Sequence, residues 1–446
     1  MRCAVLVLIL LGFARPALAH PAGPPASVDV DFSTAEDPFI LFDFTHGLLL
    51  SHDSGTTFHW VCEQNIGYTG TYNPDYAVQT VDGSIWATTF DGLRVTRDGG
   101  CTWDTIAGNL AGLWIGEVEI GTDHRIWAVT SSGEETAVND AYVSTDGTGD
   151  FVATNLHHPS VWWRSIRIAP SDPDRIYVTG YVRPLDDGMG GQTPPEAVLY
   201  RSINGGGAWE QLPMTDFELG QIPSLMMAAV SPTDPDVAYA IAVTSVSDVG
   251  DALYRTDDGG QTWTQVFTVL DVIKTVLVSD DGKLWVGVDT KLGDTGGVYV
   301  SENGVDGWVH HAQPKSACLG QRPSDGTIFS CGSNGDPDLF ALGKLTDYDT
   351  WSWTKVMRFA DMAGPLECAP GGVQYDICQS QVWPTLCVDF GVCVAADAGP
   401  IDDAGPPDDA GDGGGGDGCC RAGGPGHALL ALVLIPFLLP RRRRAR

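Results

Sequence analysis

Ser51-His-Asp53-Ser-Gly55-Thr-Thr57-Phe58 has the form S-x-D-x-G-x-T-W/F, and the chain repeats it. Close copies are Thr96-Arg-Asp98-Gly-Gly100-Cys-Thr102-Trp103 and Thr256-Asp-Asp258-Gly-Gly260-Gln-Thr262-Trp263. Looser ones are Ser202-Ile-Asn204-Gly-Gly206-Gly-Ala208-Trp209, Ser144-Thr-Asp146-Gly-Thr148-Gly-Asp150-Phe151 and Ser301-Glu-Asn303-Gly-Val305-Asp-Gly307-Trp308, with a seventh reduced to its aromatic end near Trp353. The closing aromatics fall at 58, 103, 151, 209, 263, 308 and 353, a period of 45 to 58 residues that suits four short strands per unit. In each copy the Asp and Ser/Thr oxygens can accept from turn amides, while Gly takes a backbone conformation closed to other residues. The Trp or Phe is left to fill the apolar seam between neighbouring sheets.

Outward from each copy lies a second strand signal behind a tight polar turn, as in Asp82-Gly-Ser-Ile-Trp86, Thr233-Asp-Pro-Asp-Val-Ala-Tyr239 and Asp281-Gly-Lys-Leu-Trp285. One four-stranded sheet cannot bury both of its faces, so stacked repeats in a closed ring are the stable arrangement. The fold class expected is all-β: a single seven-bladed β-propeller of four-stranded blades over residues 20–362.

The ends carry different signals. Residues 1–19 read as a secretory signal peptide, with Arg2, an apolar run and Ala17-Leu18-Ala19 as the cleavage site. Export makes the cysteines legible: apart from Cys3, Cys419 and Cys420, eight remain (Cys62, Cys101, Cys318, Cys331, Cys368, Cys378, Cys387 and Cys393), an even set that implies disulfides. A zinc site is the rival, but no C-x2-C pair occurs. Proximity suggests Cys62 with Cys101, tying the first unit to the second, and Cys318 with Cys331, clipping the seventh. The segment 363–394 then reads as a two-disulfide knot of Cys368, Cys378, Cys387 and Cys393, completing or plugging the last blade. Residues 395–418 are an acidic Gly/Pro/Asp linker with almost no large apolar residue, a flexible tether. In 419–446, Ala422 to Pro440 are 19 uncharged residues followed by Arg441 to Arg444. At about 1.5 Å each they span roughly 28 Å, barely a bilayer core.

The formal charge is −32, and between residues 20 and 420 the balance is 17 basic against 57 acidic residues, or −40. Such a surface argues against nucleic acid, anionic lipid and acidic polymers as partners. G-x-S-x-G, H-E-x-x-H and P-loop patterns are absent, and the sequence points to no cofactor and no metal. Adjacent residues of a strand point to opposite sides, so the pairs His157-His158 and His310-His311 cannot both grip one ion.

The repeats resemble the Asp-box (BNR) repeats of the sialidase superfamily, sortilin-type receptors and xyloglucanase-type glycosidases, over roughly residues 27 to 360. The resemblance implies that the box sits on the turn between a blade's third and fourth strands, away from the ligand face, and serves the fold. Separately, Gly418-Cys419-Cys420-Arg421 with its apolar stretch and arginines resembles the MYXO-CTERM surface-sorting tail. That resemblance implies a sorting protease, lipid modification at Cys419 or Cys420, membrane attachment through tail or lipid only, and a place in the cell envelope or on the cell surface, with release possible after cleavage.

In this strand order the turns between first and second strands share a face with the boxes. The opposite face receives the second-to-third-strand loops and the start of each innermost strand. Several of those loops are long (131–140, 183–196, 243–251, 288–296) and hold Glu134, Glu135, Asp186, Asp187, Asp248 and Asp294; long loops on a rigid scaffold are where binding usually lives. Near the channel mouth on that face we place Trp114, Glu117, Trp162, Trp163, Arg164 and Lys274; a Trp beside an Arg suits sugar stacking or an anionic group. One of Trp162 and Trp163 must be core. A sialidase site needs about three convergent arginines, but of the body's 11, Arg97, Arg201, Arg255, Arg125 and Arg175 belong to the box face. The reading is therefore a monomeric, non-catalytic surface propeller that binds a glycan, peptide or envelope protein. A glycoside hydrolase, which needs two carboxylates about 5 to 10 Å apart, is the alternative.

Overall fold

The computed structural model describes residues 27–393, apart from 33–38, 70–71, 134–137, 148, 159, 187–190, 221, 244–249, 291–294 and 316–317. The signal segment, the linker, the tail with Cys419 and Cys420, and the loop acids Glu134, Glu135, Asp187, Asp248 and Asp294 lie outside the described residues.

The strands form seven sheets, each with four consecutive antiparallel strands, and the first gains a short fifth strand from the end of the chain. The first and innermost strands are Ser27–Phe32, Tyr76–Val78, Ile115–Ile120, Val161–Ala169, Ser224–Val230, Val272–Val278 and Leu319–Gln321. Second strands are largely apolar, and Ile40–Phe44, Ile85–Thr89 and Ile126–Thr130 are buried at every position, Asp43 and the threonines included, because each blade packs a neighbour on both faces. Fully buried Trp86, Trp127, Trp163 and Tyr177 fill the seams.

The turn repeat has one geometry. Thr256 Oγ1 donates to Asp258 Oδ1 (2.8 Å) and accepts from Gly260 N (2.8 Å), while Asp258 accepts from Thr262 N (2.9 Å) and Thr262 Oγ1 (2.7 Å). The copies at Ser51/Asp53/Thr57 and Thr96/Asp98/Thr102 repeat it within about 0.1 Å. Asn204 substitutes by accepting from Ser202 Oγ and Ala208 N. Gly55, Gly100, Gly206 and Gly260 all have positive φ. A Cβ at Gly260 would lie 2.6 Å from Leu212 Cδ1 of the preceding blade, and one at Gly206 would lie 2.8 Å from Trp127. The turn is thus a contact point as well as a corner. The aromatics follow suit: Phe58, Trp103, Phe151 and Trp263 are buried against the preceding blade, and the half-buried Trp308 donates to Val266 O (2.9 Å). Asp258→Ala removes the acceptor of three bonds at one corner and is expected to lower unfolding free energy by about 1–2 kcal/mol, read by urea denaturation.

Arginines of the same face clasp successive blades. Arg125 reaches Asp174 (2.7 Å), Arg175 pairs with Asp236, Arg201 donates to Gly259 O (2.6 Å) and Arg255 to Asn303 O (2.7 Å).

Closure departs from the cysteine expectations. Blade 1 takes all four strands from residues 27–61 and blade 7 from 319–357, so no blade is shared between the two ends of the ring. The join is made by packing, with Phe32 on Phe329 (centroids 4.9 Å), and by the segment that follows blade 7. Gly364–Pro365 pairs in parallel with blade 1's outer strand His59–Val61, and Gln374 Nε2 donates to Trp60 O (2.7 Å). Helical turns over 374–389 lie against this seam, where Trp383 meets Trp60 and Phe390 meets Phe44. Cys62 bonds Cys378, not Cys101, and Cys101 bonds Cys368. The segment 363–394 is therefore not a self-contained knot and does not complete blade 7; only Cys387–Cys393 is internal to it, and it is riveted to blades 1 and 2. Cys318–Cys331 joins the first two strands of blade 7, as proximity suggests.

Candidate functional site

Two features stand out: a cavity in the central channel and a separate aromatic groove on blades 4 and 5. The channel holds a cavity of about 400 Å³ lined in part by Asp29, Asp31, Arg167, Met226, Lys274 and Gln321. Its wall is a set of blade-to-blade latches. Asp75 of blade 2 accepts from Val118 N (2.8 Å), and on blade 3 Glu117 accepts from Ile166 N and Glu119 from Ile168 N (2.9 Å). Arg167 Nη1 bridges Glu117 (2.5 Å) and Glu119 (3.2 Å), and its Nε donates to Ala228 O (3.1 Å), joining blades 3, 4 and 5. Glu117 is thus not free to meet a ligand: it is 8% exposed and fully committed.

One guanidinium serves many acids. Burial, followed by the neighbouring Asp29 carboxylate, pushes Asp31 up to about 8. Burial pushes Glu119 up to about 7 despite Arg167, and Asp29, whose side chain opens on the lumen, up to about 6. Asp43 and Asp75 are raised well above the ordinary carboxylate range by the same desolvation. Among the described residues no group of His, Cys, Asp and Glu has metal-holding geometry. His310 stacks on Tyr299 and His311 on Trp351, each in separate packing.

The groove, about 250 Å³, is formed by Trp162, Arg164, Tyr181, Ile222, Pro223 and Leu225 with their neighbours. Register explains it. Trp162 lies directly across from Tyr181, and the rings stack at 6.0 Å with 21° between planes; Trp163 lies across from Gly180 on the other side of the sheet and is wholly buried. Arg183 covers Trp162 at 5.3 Å, and Trp162 Nε1 donates to Ser132 O (3.2 Å). The same Ser132 accepts from Trp114 N (2.9 Å), and Trp114 continues the aromatic arc through Phe90 (5.2 Å) to Tyr72 (4.3 Å from Phe90). Among the described residues, none that lines the groove is a carboxylate.

Of the sequence-chosen residues, then, Trp162 and Arg164 share the groove and Trp114 lies farther along the arc. Lys274 opens on the channel, while Trp163 and Glu117 are structural. Tyr181, Ile222, Phe90 and Arg167 were not chosen. Tyr181 could have been found by pairing the two strands of blade 4 around the turn at Ala169–Asp172; Arg167 could not, because a bulge at Arg164 breaks the alternation that would have placed it.

No protein-family model and no curated protein matches the chain. Among solved structures it is similar to an ancestral GH74 enzyme, with a TM-score of 0.52 at 15% identity over 75% of this chain and 47% of that one. It is also similar to the GH74 xyloglucanase from Xanthomonas campestris (0.37, 13%, 77% and 65%) and to YCF48 bound to D1 peptide (0.39, 18%, 61% and 76%). The chain spans about half the length of the ancestral GH74 enzyme, and what it shares with that enzyme is the β-propeller fold.

Proposed function

We propose that this chain is a non-catalytic, surface-displayed propeller that holds a glycan on its long-loop face. The observation that carries the reading is the half-buried Trp162–Tyr181 pair, covered on one side by Arg183 and bordered by Arg164, in a groove with no carboxylate among its described lining residues. Aromatic planes of this kind take the apolar face of a pyranose, while flanking donors fix its hydroxyls. The resemblance of the corner turns to Asp-box repeats, and of the C-terminus to a sorting tail, supports display outside the cell on a flexible tether. The expected result is retention of the purified protein on one or more insoluble polysaccharides, with no new reducing ends. Trp162→Ala should weaken retention at least about tenfold in a protein that still folds cooperatively, with a modest fall in melting temperature from the lost Tyr181 and Ser132 contacts.

The fold likeness to a GH74 enzyme favours one second reading, a glycoside hydrolase that cleaves a polysaccharide with two carboxylates facing each other across the long-loop face. Release of soluble oligosaccharides by the wild type, abolished by replacing a loop carboxylate, would establish that reading and displace the first.

A further inference from the structure

The innermost strands of blades 1, 3, 4, 5 and 6 each carry a register shift, and in blades 4 and 6 the residue squeezed out of the ladder is a cation: Arg164, between Trp163 and Ser165, and Lys274, between Ile273 and Thr275. Bulges re-aim side chains, and they recur beside binding sites. Both side chains are exposed, and neither makes an ion pair or hydrogen bond among the described residues. This contrasts with Arg125, Arg167, Arg175, Arg201, Arg255 and Arg322, all of which are paired. In a chain with 57 acidic residues against 25 basic ones, an idle guanidinium beside an aromatic platform marks a demand for an anion.

We infer that the groove reads a carboxylate on the sugar, with the pyranose stacked on Trp162 and the carboxylate received by Arg164 as a forked, charge-assisted pair. This rests on the glycan-binding reading and sharpens it. The surrounding negative field sets the ligand's charge density: a dense polyanion is repelled, so the fitting ligand is a neutral backbone bearing isolated uronate units. Lys274, in the matching bulge two blades on, lines the channel cavity together with Asp29 and Asp31 and is not part of this contact.

The test uses the purified full chain and three probes: xylohexaose, a xylo-oligosaccharide of the same length with one glucuronate branch, and polygalacturonate. Calorimetry is expected to show the branched probe binding about tenfold more tightly than the neutral one, the size of one charge-assisted contact, and polygalacturonate binding more weakly than either at low salt. Arg164→Gln should equalise the two xylo-oligosaccharides, and Arg164→Lys should restore part of the preference. Equal binding of branched and neutral probes by the wild type overturns the carboxylate inference and leaves glycan binding intact. Tightest binding to polygalacturonate overturns the charge-density argument. Absence of binding to all three, together with a blank polysaccharide panel, removes the glycan reading and this inference with it. Because Arg164 is exposed and unpaired, its variants should melt with the wild type, so lost preference cannot be ascribed to unfolding.

Discussion

Replacing Cys62 and Cys378 together by alanine is expected to cost about 4–5 kcal/mol of unfolding free energy and to lower the melting temperature by on the order of 10 °C. Residues 62 and 378 are 316 apart in sequence, but with Cys101–Cys368 intact the bond closes a loop running only from 62 to 101 and from 368 to 378, about 50 residues, for which the chain-entropy relation gives about 4 kcal/mol. It also stands where the ring has no shared blade. Without it, the seam between blades 1 and 7 rests on the two-residue strand Gly364–Pro365, the aromatic contacts and Cys101–Cys368. The comparison that checks the argument is the Cys318→Ala/Cys331→Ala pair. It opens a loop with a separation of only 13 inside one blade, for which the same relation gives about 3 kcal/mol. Thermal and guanidinium unfolding of both variants should rank the long-range bond as the costlier. The reverse order would mean that the seam is held by packing and that the covalent closure is incidental.

Acidification from pH 8 to pH 5 should stabilise the protein, by roughly 4 kcal/mol once screening is allowed for, nearly all of it from Asp31 and Glu119 because Asp29 is exposed. The sign follows from the channel carboxyls. In the unfolded chain Asp31, Glu119 and Asp29 lose their protons near pH 4; folded, they hold them to about 8, about 7 and about 6. Between these limits the folded state binds more protons than the unfolded one. Stability is therefore fully present below pH 4 as far as these groups go, and it is lost as pH rises through 6 to 8. The corner-turn carboxylates act in the opposite sense. Against the desolvation of its turn, the Thr57 amide and hydroxyl hold Asp53 below the usual range, and Asp98 and Asp258 behave alike, so their contribution disappears only below about pH 4. The two sets together place the stability maximum at about pH 4–6. Asp31→Asn, which keeps the shape and discards the charge, should stabilise the protein by about 2 kcal/mol at pH 8 and flatten the profile. A melting temperature that rises from pH 5 to pH 8, or an Asp31→Asn variant less stable at pH 8, would contradict the argument.

The ring itself was legible because its determinants are local. A full corner needs a hydroxyl, a carboxylate or amide, a glycine and an aromatic within eight residues; the copy with Asn204 keeps that spacing, while those at Ser144 and Ser301 carry their glycine one position earlier. The choice between Trp162 and Trp163 was half legible: alternation requires one to be core, but only the pairing of Trp163 with Gly180 decides which. Disulfide partners were illegible over long range. Cys62 and Cys101 are neighbours in sequence and both sit at the seam, yet each bonds a cysteine some 300 residues on, because the chain returns to blade 1 after closing the circle. The channel latches escaped notice for a related reason: Glu117 reads like any solvated acid until Arg167 is known to face it from the next blade.

The way the segment after blade 7 is fastened also decides where mechanical load travels. Tension applied between the two chain ends crosses from residue 378 directly to residue 62 through sulfur, and the 315 residues between them are shunted out of the force path. Only blade 1 and the helical turns beyond Cys378 can be peeled away, so such tension would leave the other six blades, the groove among them, at rest.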